Sequence, residues 1–309
     1  MNPLITVIGP TAIGKSDLAV KIALHIEKTH NKKVEIISAD SRQIYKHFNI
    51  GTGKITPQET CGIPHHMIDI IEPKDSYSVF QYAEEVRSIL ADIYARDALP
   101  ILCGGTGFYI DAIIFGNVGS ETPPYIDEQN ELEKLPITEL QNTLKELSEK
   151  TKTDISHVDT ANKRRIARAI TILNHGGTFA KKHTTPLFNL LQIGLDTSTE
   201  QLRDRIQKRL DTRIDNGMIQ ESEKLLEQGI ITHERMQKLG LEYKFISDYL
   251  QHTLNKEEFK ERLFFAIWHY AKRQRVWFKK HSDVHWFETN KVNEHQEHVF
   301  ALLRTFLEI

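Results

Sequence analysis

The first hundred residues alternate between short apolar runs and longer amphipathic stretches. Three runs are rich in β-branched and apolar residues and end in polar or glycine-rich sequence: Leu4–Gly9, Val34–Asp40 and Pro100–Gly107. Apolar residues recur at helical spacing after the first run, and a long amphipathic helix is predicted over Tyr77–Leu99. This order of strands and helices predicts a parallel α/β sheet. Because ligands of such sheets lie at the carboxyl ends of the strands, we expect the three loops to converge on one site.

The pattern changes after about Gly119. The stretch SETPPY is typical of a linker, polar helices follow it, and a further helix is predicted over Asn162–Asn174. Strand character returns in Leu190–Asp196, and almost everything after Thr199 has helical periodicity. We therefore predict an α/β core formed by residues 1–118 and 187–309 with a helical C-terminal part, and a helical insertion domain over residues 119–186.

Composition argues against several classes of protein. Apolar residues make up 39% and charged residues 27% of the chain, as in a soluble globular protein, and the net charge of −2 means that any basic surface must be local. Cys61 and Cys103 lack zinc-finger spacing and do not indicate a disulfide scaffold. The chain shows neither a signal-peptide pattern nor an apolar run of membrane-spanning length, so we expect a cytoplasmic protein without a membrane partner.

The first predicted strand leads directly into a phosphate-binding motif. GPTAIGKS fits G-x-x-x-x-G-K-[ST] at every fixed position and opens a predicted helix, which makes the core P-loop NTPase-like. Backbone amides of such a loop approach phosphate oxygens, the lysine adds a positive charge, and the serine can hold Mg²⁺. We predict Mg²⁺ on Ser16 and diphosphate or nucleotide binding by Gly9, Pro10, Thr11, Ala12, Ile13, Gly14, Lys15 and Ser16.

The second and third loops carry the candidate catalytic side chains. Asp40 follows the strand residues Ile36 and Ile37, where it could stand in a metal shell, act as a base, or simply cap a turn. Thr106 lies between glycines in GGTGFY, where its hydroxyl could meet a ligand oxygen, although GGTG alone is more typical of a turn. The residues alone leave both positions open.

Six segments together resemble the tRNA dimethylallyltransferase (IPP transferase) family: GPTAIGKS, ISADSRQIY, NIGTGK, PHHMIDI, GGTGFYI and YAKRQRVWF. They stand in the family's order over nearly the whole chain, and ADSRQIY followed by IGT and GGT is far more specific than the P-loop. Two segments depart from the usual pattern. Asn49 and Gly53 stand where the family has D-I-G-T-A-K-P, and two residues separate Gly240 from Tyr243.

The resemblance implies transfer of a dimethylallyl group from dimethylallyl diphosphate to N6 of the adenosine next to the anticodon, in tRNAs that read codons beginning with U. It assigns Asp40 as the base for the amine and Thr106 to the oxygen that joins the allyl group to the diphosphate. It assigns Arg209 to the diphosphate, with Arg213 one turn later as the nearest competitor. The expected partners are therefore tRNA and dimethylallyl diphosphate, and we expect a monomer.

Polar and basic side chains in several segments are predicted to contact tRNA. Gln43 could contact the flipped base beside Asp40, with a plain surface role as the alternative. Arg165 and Arg168 lie three residues apart on one helix face, where a solvated arginine face is the alternative. The full set of predicted tRNA contacts is Asp40, Ser41, Arg42, Gln43, Thr106, Arg164, Arg165, Arg168, Tyr243, Lys244, Lys272, Arg275 and Lys279.

The stretch HYAKRQRVWFKK concentrates positive charge near the end of the chain. Lys272, Arg275 and Lys279 recur at spacings of three and four, which predicts one cationic stripe. A solvated helix face is the alternative, and the resemblance implies that the stripe faces RNA. Tyr270 and Trp277 share a helix face and are predicted to pack against the core rather than stack on bases.

Other functions are compatible with parts of this pattern. A P-loop nucleotide kinase would transfer a phosphoryl group without any isoprenoid, and an RNA-binding module would hold an anion in its P-loop without turnover. An adenylate isopentenyltransferase would use free AMP. The helical insertion and the cationic segment favour a large acceptor, because a small acceptor needs no extended basic surface.

Overall fold

Parallel strands form the sheet on which the chain is organised. The computed structural model describes residues 1–120, 122–123, 125–179, 183–289 and 292–308. Within them the order across the sheet is β3-β2-β4-β1-β5-β6, with every pairing parallel. The strands are β1 (Pro3–Ile8), β2 (Val34–Ser38), β3 (His65–His66), β4 (Leu99–Gly104), β5 (Asn189–Asp196) and β6 (Val284–Glu288). The predicted α/β class is confirmed, and β1 lies between β4 and β5 with its P-loop end at the carboxyl edge.

Helices occupy most of the remaining chain. They are α1 (Lys15–His30), α2 (Val79–Ala95), α3 (Gly107–Ile114), α4 (Ile126–Lys134), α5 (Ile137–Thr151), α6 (Lys163–Asn174), α7 (Thr199–Asp215), α8 (Met218–Glu227), α9 (His233–Leu239), α10 (Leu241–Leu250), α11 (Lys256–Phe278) and α12 (Val292–Leu307). α1 buries the apolar positions Ala19, Ile22, Ala23 and Ile26 that repeat at helical spacing. Of the helices that the structure describes, none is both long and apolar enough to cross a membrane.

The helix α2 is shorter than the sequence pattern predicts. Ser78 accepts a hydrogen bond from the backbone N–H of Gln81 and receives the reciprocal cap from its side chain, so the helix begins at Val79 rather than Tyr77. At the other end Leu99 already belongs to β4 and pairs with Val34 of β2. The predicted helix is too long because the apolar residues of the following strand continue the amphipathic pattern.

The strand β6 is absent from the sequence-based prediction, which gives helix after Thr199. It pairs in parallel with Gln192–Asp196 and forms the edge of the sheet. Phe287 is its one buried residue, and its other side chains are half-buried or exposed. A five-residue edge strand between two long helices carries too little apolar periodicity to be recognised from its own sequence.

The chain divides into two compact units. The first consists of residues 1–114 and 186–309 and contains the sheet, and the second consists of residues 115–185. In the second unit α4, α5 and α6 pack around a small apolar core that includes Leu140, Leu144, Ile166, Ile170 and Leu173. The insertion predicted over residues 119–186 thus differs from this unit by only a few residues at its start and one at its end.

Candidate active site

A cavity of about 680 Å³ lies at the carboxyl ends of β1, β2 and β4 within the first unit. The P-loop, the residues that follow β2, the loop around Gly53, and helices α7 and α11 line it. Lys15, Asp40 and Arg209 therefore face one space, although their positions in the sequence are far apart. Parallel strands produce this arrangement because all their carboxyl ends meet at the same edge.

Lys15 supplies a cation at the floor of the P-loop. Its side chain is half-buried, and its Nζ donates a hydrogen bond of 2.8 Å to the carbonyl oxygen of Pro10. Loss of hydration lowers the pKa of Lys15 to about 8, with nearby Arg209 lowering it further and Cys103 and Asp40 opposing that effect. A desolvated ammonium group of this kind gains more from a bound anion than one exposed to water.

Two arginines of α7 approach the same space from the opposite side. Arg209 donates from Nη1 to Oγ1 of Thr11 over 3.0 Å, so its guanidinium reaches the P-loop. Burial, followed by the charge of Arg213, lowers the pKa of Arg209 to about 10. Arg213 instead pairs with Glu242 at 3.3 Å and donates to the carbonyl oxygen of Gly51. Of the two competitors, Arg209 is the one whose guanidinium reaches the P-loop.

Gly53, where the chain departs from the family pattern, lies against two arginines of α7. Its φ is +58°, and a Cβ at this position would meet the Nη2 atom of Arg213 at 1.9 Å and that of Arg209 at 2.5 Å. The glycine therefore gives both guanidinium groups room beside the loop. Glu221 holds the same loop from α8, because its carboxylate accepts backbone N–H groups of residues 49, 50 and 51 at 3.1, 2.8 and 3.1 Å.

Asp40 and Thr106 come together through the backbone of the second loop. Asp40 lines the cavity, and its Oδ1 accepts the N–H of Arg42 at 2.9 Å. Thr106 accepts the N–H of Ser41 at 3.0 Å through Oγ1, and its own N–H donates to the carbonyl oxygen of Ala39. The cap-like turn at Asp40 is thus real, and it holds the carboxyl group at the cavity rather than away from it.

Tyr270 belongs to this site and not to the core, which corrects the prediction made from helical spacing. It is half-buried, lines the cavity and lies close to the Thr106 side chain. Burial raises its pKa to about 12, and the charge of Asp40 adds to the effect. Trp277 is also half-buried, and its Nε1 donates to Oδ2 of Asp111 over 3.2 Å. Spacing alone placed both rings on one face without showing that Tyr270 lines the cavity.

The predicted cationic stripe on α11 is not a row of free charges. Arg275 pairs through Nε with Oδ1 of Asp196 at 2.9 Å and donates to the carbonyl oxygen of Thr197. Lys279 lies 3.4 Å from Oδ2 of the same aspartate but remains exposed. Lys272 is exposed, and its Nζ lies 5.9 Å from the ring centroid of Trp268. Arg275 therefore packs against the end of β5 instead of facing solvent.

The prediction that Tyr243 contacts tRNA is wrong for this structure. Its side chain is 1% exposed and stacks on Phe48 with ring centroids 4.1 Å apart. The reason is that Tyr243 lies on the buried face of α10 together with Ile246. Lys244, the next residue, is exposed and stays a candidate contact.

The remaining predicted contacts of the second loop are half-buried beside Asp40. Gln43 donates from Nε2 to the carbonyl oxygen of Gly53 at 3.3 Å, and Arg42 donates to the carbonyl oxygen of Leu239. Both side chains line the cavity. Ser41 receives the hydrogen bond of the Thr106 hydroxyl at 3.3 Å. Arg42 and Gln43 therefore form the wall of the cavity next to the candidate base.

The arginines of α6, in the second unit, differ among themselves. Arg164 and Arg165 have side chains 76% and 63% exposed and make only surface ion pairs, with Glu133 at 3.4 Å and Asp159 at 3.2 Å. Arg168 is half-buried and donates to the carbonyl oxygens of residues 122 and 123. Desolvation lowers the pKa of Arg168. Arg168 thus stabilises the segment before α4. Of these three arginines, Arg164 and Arg165 are therefore the accessible ones.

Some residues that line the cavity were missed by the sequence reasoning. Arg205 stands one turn before Arg209 and faces the same space, and Gln274 contacts the P-loop from α11. The four-residue spacing of Arg205, Arg209 and Arg213 was a usable signal, because residues four apart share one helix face. Nothing in the local sequence signals the role of Gln274, since its partners lie far away along the chain.

The residues present fit a bound Mg²⁺. Ser16 is exposed in the first turn of α1, and Asp40 lines the same cavity. Within the described residues no group of three or more His, Cys, Asp or Glu side chains could hold a metal on its own. Mg²⁺ usually keeps several waters and binds through one or two protein oxygens plus substrate phosphates. A serine hydroxyl beside a diphosphate meets that requirement.

Known proteins resemble this chain over nearly its whole length. The family model described as IPP transferase matches residues 43–281. A tRNA dimethylallyltransferase 2 of Shewanella sediminis is 38% identical over 92% of this chain and 93% of that protein. A tRNA dimethylallyltransferase of Bacillus cereus is 36% identical over 91% of this chain and 88% of its own length.

Solved structures share the architecture. The full-length tRNA isopentenylpyrophosphate transferase of Bacillus halodurans superposes with a TM-score of 0.71 at 32% identity, covering 100% of this chain and 99% of that one. The crystal structure of a eukaryotic dimethylallyltransferase acting on tRNA superposes with a TM-score of 0.80 at 24% identity, covering 100% of this chain and 80% of that one. The second likeness shows a common fold.

Proposed function

The chain belongs to the IPP transferase family, and we propose that it is a tRNA dimethylallyltransferase. The allylic C–O bond of dimethylallyl diphosphate breaks, a C–N bond forms at N6 of the adenosine next to the anticodon, and diphosphate and a proton are released. The observation that carries the proposal is the shared cavity, which is lined by a P-loop lysine, a half-buried arginine and a carboxyl group. Such a site separates an anionic leaving group from a base.

Departure of the diphosphate depends on neutralising the charge that develops on it. Lys15 and Arg209 are desolvated cations that line the same cavity, where electrostatic stabilisation is stronger than in water. Thr106 would donate its hydroxyl hydrogen to the oxygen that joins the allyl group to the diphosphate. Mg²⁺ held by Ser16 and the diphosphate would neutralise further charge on the leaving group.

Attack by the adenine amine depends on removal of its proton. The lone pair of this amine is delocalised into the ring, so a carboxylate that accepts the proton as the new bond forms assists the reaction. Asp40 lines the cavity and is held there by the N–H of Arg42. The target base must leave its stack to reach this carboxylate, and Ser41, Arg42 and Gln43 would then contact it.

The acceptor is a large polyanion in this proposal. Arg164 and Arg165 in the second unit, and Lys244, Lys272 and Lys279 in the first, expose their charges and would contact phosphates of tRNA. The reaction then needs tRNA and dimethylallyl diphosphate as partners, and we expect the protein to act as a monomer in the cytoplasm. The relatives favour this reading over a nucleotide kinase or an AMP-specific transferase.

A direct assay tests the proposal. The protein is incubated with Mg²⁺, dimethylallyl diphosphate labelled in the allyl group, and either unmodified tRNA or AMP. We expect label in tRNA and none in AMP. Label in neither acceptor would contradict the proposal. Label in AMP alone would assign the chain to the isopentenyltransferases that act on free nucleotides.

The role of Asp40 gives a sharper test. Asp40→Asn keeps the size of the side chain and removes the base, so we expect transfer to fall about 100-fold or more while tRNA affinity stays within about threefold. Asp283→Asn, on the exposed surface before β6, is the matched control and should transfer at the wild-type rate. Full activity of Asp40→Asn would remove Asp40 from the mechanism.

A further inference from the structure

One buried glutamine joins two of the loops that surround the cavity. Gln274 lies on α11 and is 6% exposed. Its Oε1 accepts the backbone N–H of Thr11, in the P-loop, over 2.8 Å. Its Nε2 donates to the carbonyl oxygen of Gly105, in the loop that carries Thr106, also over 2.8 Å. Both polar atoms of the amide thus form hydrogen bonds, one with the loop after β1 and one with the loop after β4.

The amide is the side chain that suits this position. It presents an acceptor and a donor side by side without a charge. A carboxylate would place an anion against the carbonyl oxygen of Gly105, and an ammonium group would face the N–H of Thr11. Asparagine carries the same amide on a shorter stem. A buried polar group that loses its partner costs free energy, so replacement of Gln274 leaves two backbone groups unsatisfied.

Both partners of Gln274 are adapted to the contact. The Thr11 hydroxyl accepts from Nη1 of Arg209 at 3.0 Å, so this residue is held by its backbone on one side and its side chain on the other. At Gly105 a Cβ would lie 2.2 Å from Nε2 of Gln274. The absence of a side chain at residue 105 therefore allows the amide to reach the carbonyl oxygen.

The helix that carries Gln274 has its own anchors nearby. Arg275 pairs with Asp196 at the end of β5, and Trp277 donates to Asp111 in α3. Both anchoring residues follow Gln274 within one turn of the same helix. The segment of α11 that carries Gln274 is therefore anchored, as a residue that positions two loops requires.

We propose that Gln274 is a positioning residue, which fixes the P-loop relative to Thr106 and so aligns the diphosphate with the hydroxyl that bonds its leaving oxygen. In this proposal Gln274 acts through its hydrogen bonds to these two loops. The proposal rests on the proposed function, because it takes the P-loop and Thr106 to hold two parts of one diphosphate. Small displacements between such groups weaken catalysis more than they weaken the fold.

Two substitutions at Gln274 test this role in the full-length protein. Gln274→Leu removes both hydrogen bonds at similar volume, and we expect kcat/KM for dimethylallyl diphosphate to fall about tenfold to a hundredfold. Gln274→Glu loses the donor when ionised but regains it when protonated. Its activity relative to wild type should therefore rise as the pH falls from about 8.5 to about 6, toward the range where a carboxyl group takes up a proton.

A readout at several pH values separates positioning from stability. All variants are assayed at a temperature where circular dichroism shows them folded, so a loss that reflects unfolding is excluded. Gln251→Glu, an exposed position at the end of α10, is the matched control and should keep a constant ratio to wild type. A folded Gln274→Leu variant that keeps the wild-type kcat/KM would overturn the proposal.

A double-mutant cycle gives an independent test if Gln274→Glu does not fold. Gly105→Ala places a methyl group against Nε2 of Gln274, so it should impair transfer in the wild-type background. In a Gln274→Ala background that methyl group has room, and the same change should have less than about a twofold effect. Additive losses would contradict the contact. Wild-type protein without any transfer would instead refute the proposed function, so the two failures can be told apart.

Discussion

Lys15 and Arg209 at the edge of the sheet, and Arg164 and Arg165 on α6, are all predicted to bind phosphate groups, yet the structure treats them differently. The first pair is half-buried, and desolvation lowers the pKa of both side chains. The second pair is exposed and paired only at the surface. Desolvated cations suit one small anion in a fixed position, whereas exposed ones suit a polyanion that makes many screened contacts.

The largest effect that separates the two groups is expected from Lys15→Met. This change removes the desolvated charge from the P-loop while keeping an unbranched side chain. We expect kcat/KM for dimethylallyl diphosphate to fall about 100-fold or more, and the affinity for inorganic diphosphate to fall in parallel. Steady-state kinetics and titration calorimetry measure the two effects. Arg165→Ala should leave the affinity for inorganic diphosphate unchanged. An equal loss of affinity in that variant would contradict the distinction between the desolvated and the exposed cations.

The pH dependence of diphosphate binding checks the same residue. The pKa of Lys15 is lowered to about 8 in the free protein, and a bound anion favours its charged form. Affinity should therefore be highest below about pH 8 and fall above it, by at most about tenfold per pH unit. Lys15→Met controls for the ionisation of diphosphate itself. A wild-type profile parallel to that of Lys15→Met would show that Lys15 does not titrate in this range.

Arg275 sharpens the comparison, because it was predicted to face RNA and instead supports the sheet edge. Removing it leaves the carboxylate of Asp196, which is 14% exposed, without its guanidinium partner. We expect Arg275→Ala to lower the free energy of unfolding by about 2–3 kcal/mol. Urea titration followed by tryptophan fluorescence reports this unit, since Trp268, Trp277 and Trp286 all lie in it.

An exposed ion pair of the same unit provides the control for Arg275. Arg87 pairs with Glu84, and both side chains are about half exposed. Surface pairs of this kind contribute about 0–1 kcal/mol, so Arg87→Ala should change stability little. Equal losses of unfolding free energy in the two variants would mean that burial does not determine how much these ion pairs contribute to stability.

The local patterns of the sequence predicted the parts of the site that are encoded locally. GPTAIGKS and the polar ends of the strands lie within short segments, and the structure brings them to one cavity. The pairing of Arg275 with Asp196 and the contacts of Gln274 join residues that are distant in the chain. Composition and periodicity carry no information about such partners, which is why Arg275 was placed on a solvent-facing stripe.

Tyr243 shows the same limit at a single position. The family resemblance predicted a tRNA contact from the order of residues after Gly240, but the face of α10 that carries Tyr243 packs on Phe48. The edge strand β6 was missed for a related reason, because its pairing with β5 rather than its own residues makes it a strand. Tertiary contacts decided both cases.

The smallest effect is expected on α6. Arg165→Ala removes an exposed cation, so tRNA affinity should weaken a fewfold and the slope of log affinity against log salt should decrease by about one. Filter binding at several salt concentrations measures both. Lys33→Ala is the control, since Lys33 is exposed just before β2, at the opposite edge of the sheet from the cavity. Equal slopes for the two variants would place tRNA elsewhere.

The site where the allyl group arrives tests the central claim most directly. Unmodified tRNA is treated with the protein, Mg²⁺ and labelled dimethylallyl diphosphate, then digested to nucleosides that are separated and identified by mass spectrometry. The account predicts that the label is found in one product, an adenosine carrying the dimethylallyl group on N6. Label on another nucleoside, or transfer of phosphate without the allyl group, would contradict it.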